Sequence, residues 1–255
     1  MIDDFVKRRV LAVQEFLYLF TNSIRVIFSP PRYVDDTIVQ MDTIGFGSLP
    51  IVLLTGLFTG GVLALQTYRT LQTFGEVGIL GEAVALSVVR ELGPVLTALM
   101  VAGRNSSGIA SEIGSMLVSE QIDAMRALGT DPMRKLVAPR LHATVITLPL
   151  LTILADFMGL LGGYMISTTT AHLTTREYWT SAYQSLTFED VTQGLIKPSF
   201  FAVVIALVGC YFGLSTTGGT EGVGRSTTRA VVAASVWILV LDFFITRFLI
   251  GIHFA

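Results

Sequence analysis

From Ile44 to Gln66 the chain runs for 23 residues without a charged side chain. As a helix rising about 1.5 Å per residue, that run reaches roughly 34 Å. A bilayer's hydrocarbon core is about 30 Å thick, so the run is long enough to span it. Further apolar runs of near-bilayer length lie at about Val77–Leu117, Ala143–Ser167, Pro198–Leu214 and Ala230–Ile250. Only 14% of the residues are charged and 52% are hydrophobic, whereas soluble domains carry about 25% charge. The pattern predicts an all-α polytopic membrane protein with five transmembrane helices and excludes a soluble globular enzyme.

Residues 10–28 differ from those runs. Gln14, Tyr18, Asn22 and Arg25 draw one polar stripe, with Val13, Phe16, Leu17, Phe20, Ile24 and Ile27 opposite and Lys7, Arg8 and Arg9 just before. A stripe with basic flanks fits an N-terminal interfacial helix lying in the membrane surface; a true span is the alternative. Ser29-Pro30-Pro31 ends it, and residues 32–43 read as a connector or a short turn of helix. The organisation expected is an interfacial (elbow) helix and connector over 1–43, then a five-helix transmembrane domain over 44–255.

The stretch Val89–Gly129 carries most of the chemistry. Arg90 and Glu91 sit in apolar surroundings, and isolated charges in a membrane helix usually mark a site. They lie about 100° apart on a helix, so they do not simply pair with each other. Arg90 can hold a phosphate bidentately, or it can pair with Glu82 or another acid. The helical pattern runs on to about Leu117, roughly 60 Å, so it must kink, near Gly93-Pro94, or protrude into water. Glu120–Leu128 then forms a short amphipathic segment, with Ser119 as N-cap and Gly129 as stop. Its apolar ridge is Ile122, Met125 and Leu128, with Glu120, Gln121, Asp123 and Arg126 around it. Such a helix suits docking into a groove on a cytoplasmic partner, which sets a coupling helix at about 119–129. Asp131 and Pro132 start the next helix as cap and first residue.

Other chemistry finds no support. No G-x-x-x-x-G-K-[ST] phosphate loop occurs, so this chain has no ATP site of that kind. His142, His172 and His253 lack ligand spacing, and the lone Cys210 permits no intrachain disulfide. No secretory signal is evident. Small residues at Gly56/Gly60 and Gly159/Gly163 give faces for close helix packing. Twelve of the seventeen Lys and Arg fall in 1–32, 104–140 and 225–229, which places the N-terminus and those loops in the cytoplasm and the C-terminus outside.

Asp123–Gly129 resembles the cytoplasmic "EAA" loop of ABC importer permeases. A closer resemblance covers nearly the whole chain. ELGPVLTALMVAGR (91–104), SEIGSM (111–116), SEQIDAMRALGTDP (119–132), PRLHATVITLPLLT (139–152) and GRSTTRAVV (224–232) resemble the MlaE/YrbE permease family. Asn105-Ser106 departs from the small apolar or glycine residues commoner there. The resemblance implies a homodimeric permease in the bacterial inner membrane with a lipid cavity between subunits. It implies that Arg90, Glu91, Gln66, Tyr68 and Leu65 bind lipid, and that Glu120–Leu128 is the coupling helix. It also implies partners: two copies of a cytoplasmic ABC ATPase, which binds ATP and Mg, a STAS-domain protein and a periplasmic hexamer of MCE proteins. The cargo implied is phospholipid moved between the inner membrane and the MCE protein, in maintenance of outer-membrane lipid asymmetry. No cofactor is expected in this chain, and neither catalysis nor nucleic-acid binding. The alternatives are a permease for another lipid such as a sterol, or a proton-coupled transporter using Glu82, Asp156 or Asp242.

Overall fold

The computed structural model describes residues 33–253 together with Gln14 and Thr21. The rest of 1–32, on which the expected interfacial helix falls, lies outside the described residues. Among the described residues, five helices are long and apolar enough to cross a membrane. They are α1 (Val34–Phe74), α2 (Val77–Val118), α4 (Met133–Thr169), α6 (Phe188–Leu214) and α7 (Gly219–His253). Two short helices, α3 (Gln121–Ala127) and α5 (Thr175–Ser185), lie between them. The described residues contain no strand.

The five expected spans are present, with longer ends. Residues 34–43 are helical and continuous with α1. Helix α6 starts at Phe188 with Pro198 inside it, and α7 starts at Gly219, so the glycine-rich turn shrinks to Ser215–Gly218. Helix α2 does not simply kink. It carries two π-turns, Val88–Leu92 and Ala102–Ser106, and α4 opens on a third, Met133–Val137. Two of the three are followed by X-Pro: Gly93-Pro94 and Ala138-Pro139. A proline has no N–H, and its ring presses on the carbonyl four residues back. The helix widens instead, and the N–H before the proline bonds five residues back: Gly93 to Val88 O, Ala138 to Met133 O.

The chain divides into two compact units. One comprises Asp42–Val101, Val145–Ala202 and Ser235–Ala255. Here the two small-residue faces meet within the chain. A Cβ added at Gly56 would lie 2.5 Å from Ala155 O, and one at Gly60 would overlap the Gly159 backbone. These glycines therefore pack α1 on α4, the close helix contact that their spacing predicts. Ala64, Leu80, Val84 and Val88 form a core cluster over which Leu63, Tyr68 and Leu71 close. Helix α5 is fixed at its start by a reciprocal cap between Thr174 and Glu177. Thr174's backbone N–H, then its hydroxyl, bonds the Glu177 carboxylate and holds it below the usual range. Tyr178 is buried, its hydroxyl donates to Leu160 O at 2.9 Å, and burial pushes its pKa up.

The other unit comprises Met1–Met41, Ala102–Thr144 and Val203–Ala234. Gly209 and Gly213 let α6 press against Ile109 and Ile113. Arg140, with 8% of its side chain exposed, donates to Leu136 O and to Glu112 Oε2, both at 2.8 Å. Lys135 pairs with Asp36 and stacks over the Tyr33 ring. Asp131 caps α4 as expected, accepting from Met133 N–H at 2.9 Å. Ser119 does not cap α3. Its hydroxyl bonds back to Ser115 O at 2.8 Å, so it closes α2. Glu120 makes the turn in the left-handed region, φ 59°, a conformation costly for a non-glycine residue by about 1 kcal/mol or more.

Candidate functional site: a charged knot between helices

The site grows out of Pro94. Without that residue's N–H, the Arg90 carbonyl loses its helical donor, and an unpaired buried carbonyl is costly in a bilayer. Lys197 Nζ, from α6, supplies the bond at 3.1 Å. The same ammonium pairs with Glu91 Oε2 at 2.6 Å and with Asp242 Oδ1 of α7 at 3.3 Å. The ammonium thus has two hydrogen bonds and two ion pairs, and it needs them, because the Lys197 side chain is 0% exposed and a buried charge persists only when paired and hydrogen-bonded.

Helix α6 approaches closely because Gly194 has no side chain; a Cβ there would lie 2.6 Å from Val89 O. Its start is fixed by a second reciprocal cap. Thr187 N–H and hydroxyl bond Asp190 Oδ2 at 2.9 and 2.7 Å. The other carboxylate oxygen of Asp190 accepts from Arg90 Nε. Arg90 therefore pairs with an acid, though not with Glu82. Its side chain remains 44% exposed, so Asp190 orients the guanidinium by one edge and leaves the other edge outward. Glu91 is likewise 43% exposed, and Thr246 of α7 donates to its second oxygen at 3.4 Å. The knot holds three carboxylates and two cations, and on its outward side the Arg90 guanidinium, a fork suited to an anionic oxygen pair, stands beside the half-exposed Glu91.

The remaining expected lipid contacts separate. Leu65 and Gln66 are exposed on α1, and Tyr68 packs on the core cluster of Ala64, Leu80, Val84 and Val88. Neither Gln66 nor Tyr68 is bonded to Arg90 or Glu91. A narrow cleft lies between α1 and α2, lined by Val52, Gly56, Thr59, Leu92, Leu96 and Met100 among others. Asp156 puts one carboxyl oxygen against the Gly93 Cα, buried and without a hydrogen-bond partner.

On α3 the expected ridge does not exist as one surface. Ile122 is fully buried and anchors the helix inward, while Leu128 is 84% exposed. Met125 is half-buried; Glu120, Gln121, Asp123 and Arg126 are exposed. Gln121, Ala124, Met125 and Leu128, none of them buried, share one face at spacings i, i+3, i+4 and i+7. Asp123 and Arg126 pair at 3.0 Å in the open, which contributes little to stability.

Lys197 and Asp190 are the members of the knot that the sequence reading does not single out. Two signals could have found them. Thr187-x-x-Asp190 ahead of an apolar run is a capping box. A proline in a membrane helix demands an outside donor for the carbonyl four residues back, and Lys197 is the only lysine in the five membrane spans beyond Lys135 at the start of α4.

The knot sets five charged side chains among apolar helices and leaves one guanidinium edge open. A family model described as Permease MlaE matches residues 37–248. A probable ABC transporter permease protein of Rickettsia typhi is 43% identical over 227 residues, 89% of this chain and 88% of that protein. The Haemophilus influenzae intermembrane phospholipid transport system permease protein MlaE is 40% identical over 213 residues, 83% of this chain and 82% of that one. The chloroplastic protein trigalactosyldiacylglycerol 1 of Arabidopsis thaliana is 37% identical over 213 residues, 84% of this chain and 61% of that one. With the family's match running from the start of α1 almost to the end of α7, the chain belongs to the MlaE permease family.

Proposed function

We propose that this chain is the membrane permease subunit of an ABC transporter that moves phospholipid between the inner membrane and a periplasmic MCE protein. ATP is hydrolysed in a separate cytoplasmic subunit, present in two copies, with a STAS-domain protein attached to it. The permease works as a homodimer, its N-terminus cytoplasmic and its C-terminus periplasmic, and serves outer-membrane lipid asymmetry. The observation that carries the reading is the 40% identity over 213 residues to a relative named for intermembrane phospholipid transport. The knot gives it a chemical basis: Arg90 offers its free edge to a lipid phosphate, while the apolar side chains of α1 and α2 accept acyl chains.

In this reading the chain contributes binding and coupling, not chemistry. Helix α3 offers Leu128 and its polar neighbours to the ATPase, and the buried Ile122 ties that helix to the permease. Helix α2 ends one short turn before α3 and carries Arg90 and Glu91 further along the same helical run. A docking shift thus has a covalent, helical path to the lipid site.

The test is reconstitution of the chain with its ATPase in liposomes holding fluorescent phospholipid, with an MCE protein as acceptor. Transfer that requires ATP supports the reading. Transfer driven by a pH gradient without any ATPase would replace it with a proton-coupled transporter.

A further inference from the structure

A second charged site lies away from the knot. One face of α5 and the start of α2 form an open groove of about 810 Å³, lined by Ile79, Glu82, Leu173, Arg176, Glu177 and Ser181 among others. Ligand sites commonly measure about 300–1,000 Å³. The groove is built, not incidental. Gly81 lets α2 seat directly on the Tyr178 backbone, and Glu82 N–H bonds Ser181 Oγ at 3.1 Å. Buried Tyr178 pins α5 from below.

Its charges are left open. Among the described residues, the side chains of Arg176 and Glu82 have no ion-pair or hydrogen-bond partner, although both line the same groove. Glu177 adds a second carboxylate, already held by Thr174. One guanidinium with two carboxylates complements a ligand that carries a phosphate and an ammonium on one short chain. A phosphate alone would meet the two carboxylates with nothing to offset them.

The placement selects the ligand. Helix α5 links the end of α4 to the start of α6, both membrane spans, so it sits at a membrane–water boundary. Tyr164, Tyr178 and Trp179 stack there with centroids 5.4–5.8 Å apart, and Tyr183 is exposed, the residue types of an interfacial belt. Ile79 and Leu173 give the groove an apolar wall.

We infer that the groove between α5 and the start of α2 binds the headgroup of a zwitterionic amino-phospholipid, phosphate on Arg176 and ammonium on Glu82. The inference rests on the phospholipid reading above and adds a headgroup-selecting site separate from Arg90.

The experiment is native mass spectrometry of the full-length chain in detergent, titrated with phosphatidylethanolamine or phosphatidylglycerol of matched acyl chains. Wild type should prefer phosphatidylethanolamine by about fivefold or more, since one charge-assisted hydrogen bond is worth that much. Arg176→Gln should weaken both lipids. Glu82→Gln should erase the preference while retaining phosphatidylglycerol binding. A phosphatidylethanolamine with a photoreactive headgroup should label residues 174–185. Unchanged preference in both Arg176→Gln and Glu82→Gln, or labelling confined to residues 88–97, overturns the inference. Binding is read without ATP, so the two readings fail differently. A chain that holds no phospholipid at all defeats the transport reading, whereas one that holds it indifferently to Arg176 and Glu82 defeats only the groove.

Discussion

The π-turns at Val88–Leu92 and Met133–Val137 arise alike, each ahead of an X-Pro pair, yet the structure uses them differently. After the first, Arg90 O takes a donor from another helix: Lys197, distant in sequence by 107 residues. That lysine draws in Glu91 and Asp242, and the knot keeps Arg90 and Glu91 nearly half exposed. After the second, Arg140 turns back on Leu136 O of its own helix and closes on Glu112. Here the cation is buried and the acid, 51% exposed, faces out. The two bulges thus stand beside different arrangements: a strut whose cation is closed off, and a knot that leaves one cation, Arg90, and one acid, Glu91, reachable. The difference lies in whether a cation is left reachable.

The largest effect should come from cutting the knot at its centre. Lys197→Met leaves Glu91 and Asp242 facing each other unpaired and should destabilise the protein by about 3–5 kcal/mol, read as thermal unfolding in detergent. Pro94→Ala restores the N–H that Arg90 O lacks, so the double variant should lose less than the sum of the two. Strict additivity would mean that Lys197 does not serve that carbonyl. The strut should prove weaker. Arg140→Met frees Glu112, which can rehydrate, so the loss should be about 1–3 kcal/mol, and a loss equal to that of Lys197→Met would erase the contrast.

Helix α3 divides in the same way between closed and open residues. Leu128→Asp should leave stability within about 0.5 kcal/mol and abolish stimulation of the partner ATPase. Ile122→Asp should instead lower yield and stability. If Leu128→Asp couples normally, the docking face lies elsewhere.

How much of this was readable beforehand follows from distance along the chain. The spans, the Asp131 cap and the inequivalence of Arg90 and Glu91 depend on local pattern, and the structure has them. Gly56 and Gly60 were correctly seen as packing residues, but sequence spacing cannot tell a partner within the chain from one outside it. Ser119 is a favoured N-cap residue, yet it closes the preceding helix because Glu120 takes the left-handed turn. Ile122 is buried while Leu128 is exposed because residues six apart lie about 120° from each other round a helix and do not share a face. Lys197 was invisible in this role because its three partners come from two other helices.

The smallest effect is at the water boundary. The Thr174–Glu177 cap holds Glu177's pKa below its ordinary value, so the cap's contribution is present above the usual carboxylate range and lost as pH falls through the lowered value. Amides at the start of α5 should lose exchange protection on acidification, and Glu177→Gln should remove that pH dependence. An unchanged profile in Glu177→Gln would assign the effect to another group.

The contrast between knot and strut is tested most directly by bound lipid. Phosphate should be assayed in the full-length chain purified as wild type, Arg90→Gln and Arg140→Gln, each checked for folding. Asp190 keeps its bonds to Thr187 in the Arg90 variant, so the helix start survives the change. Arg90→Gln should lose most of its co-purified phospholipid, and its ATP-driven transfer should fall about tenfold or more, the loss of one charge-assisted contact. Arg140→Gln should retain its lipid. Wild-type lipid and transfer in Arg90→Gln, or a greater loss in Arg140→Gln, would contradict the assignment of the open knot as the lipid site.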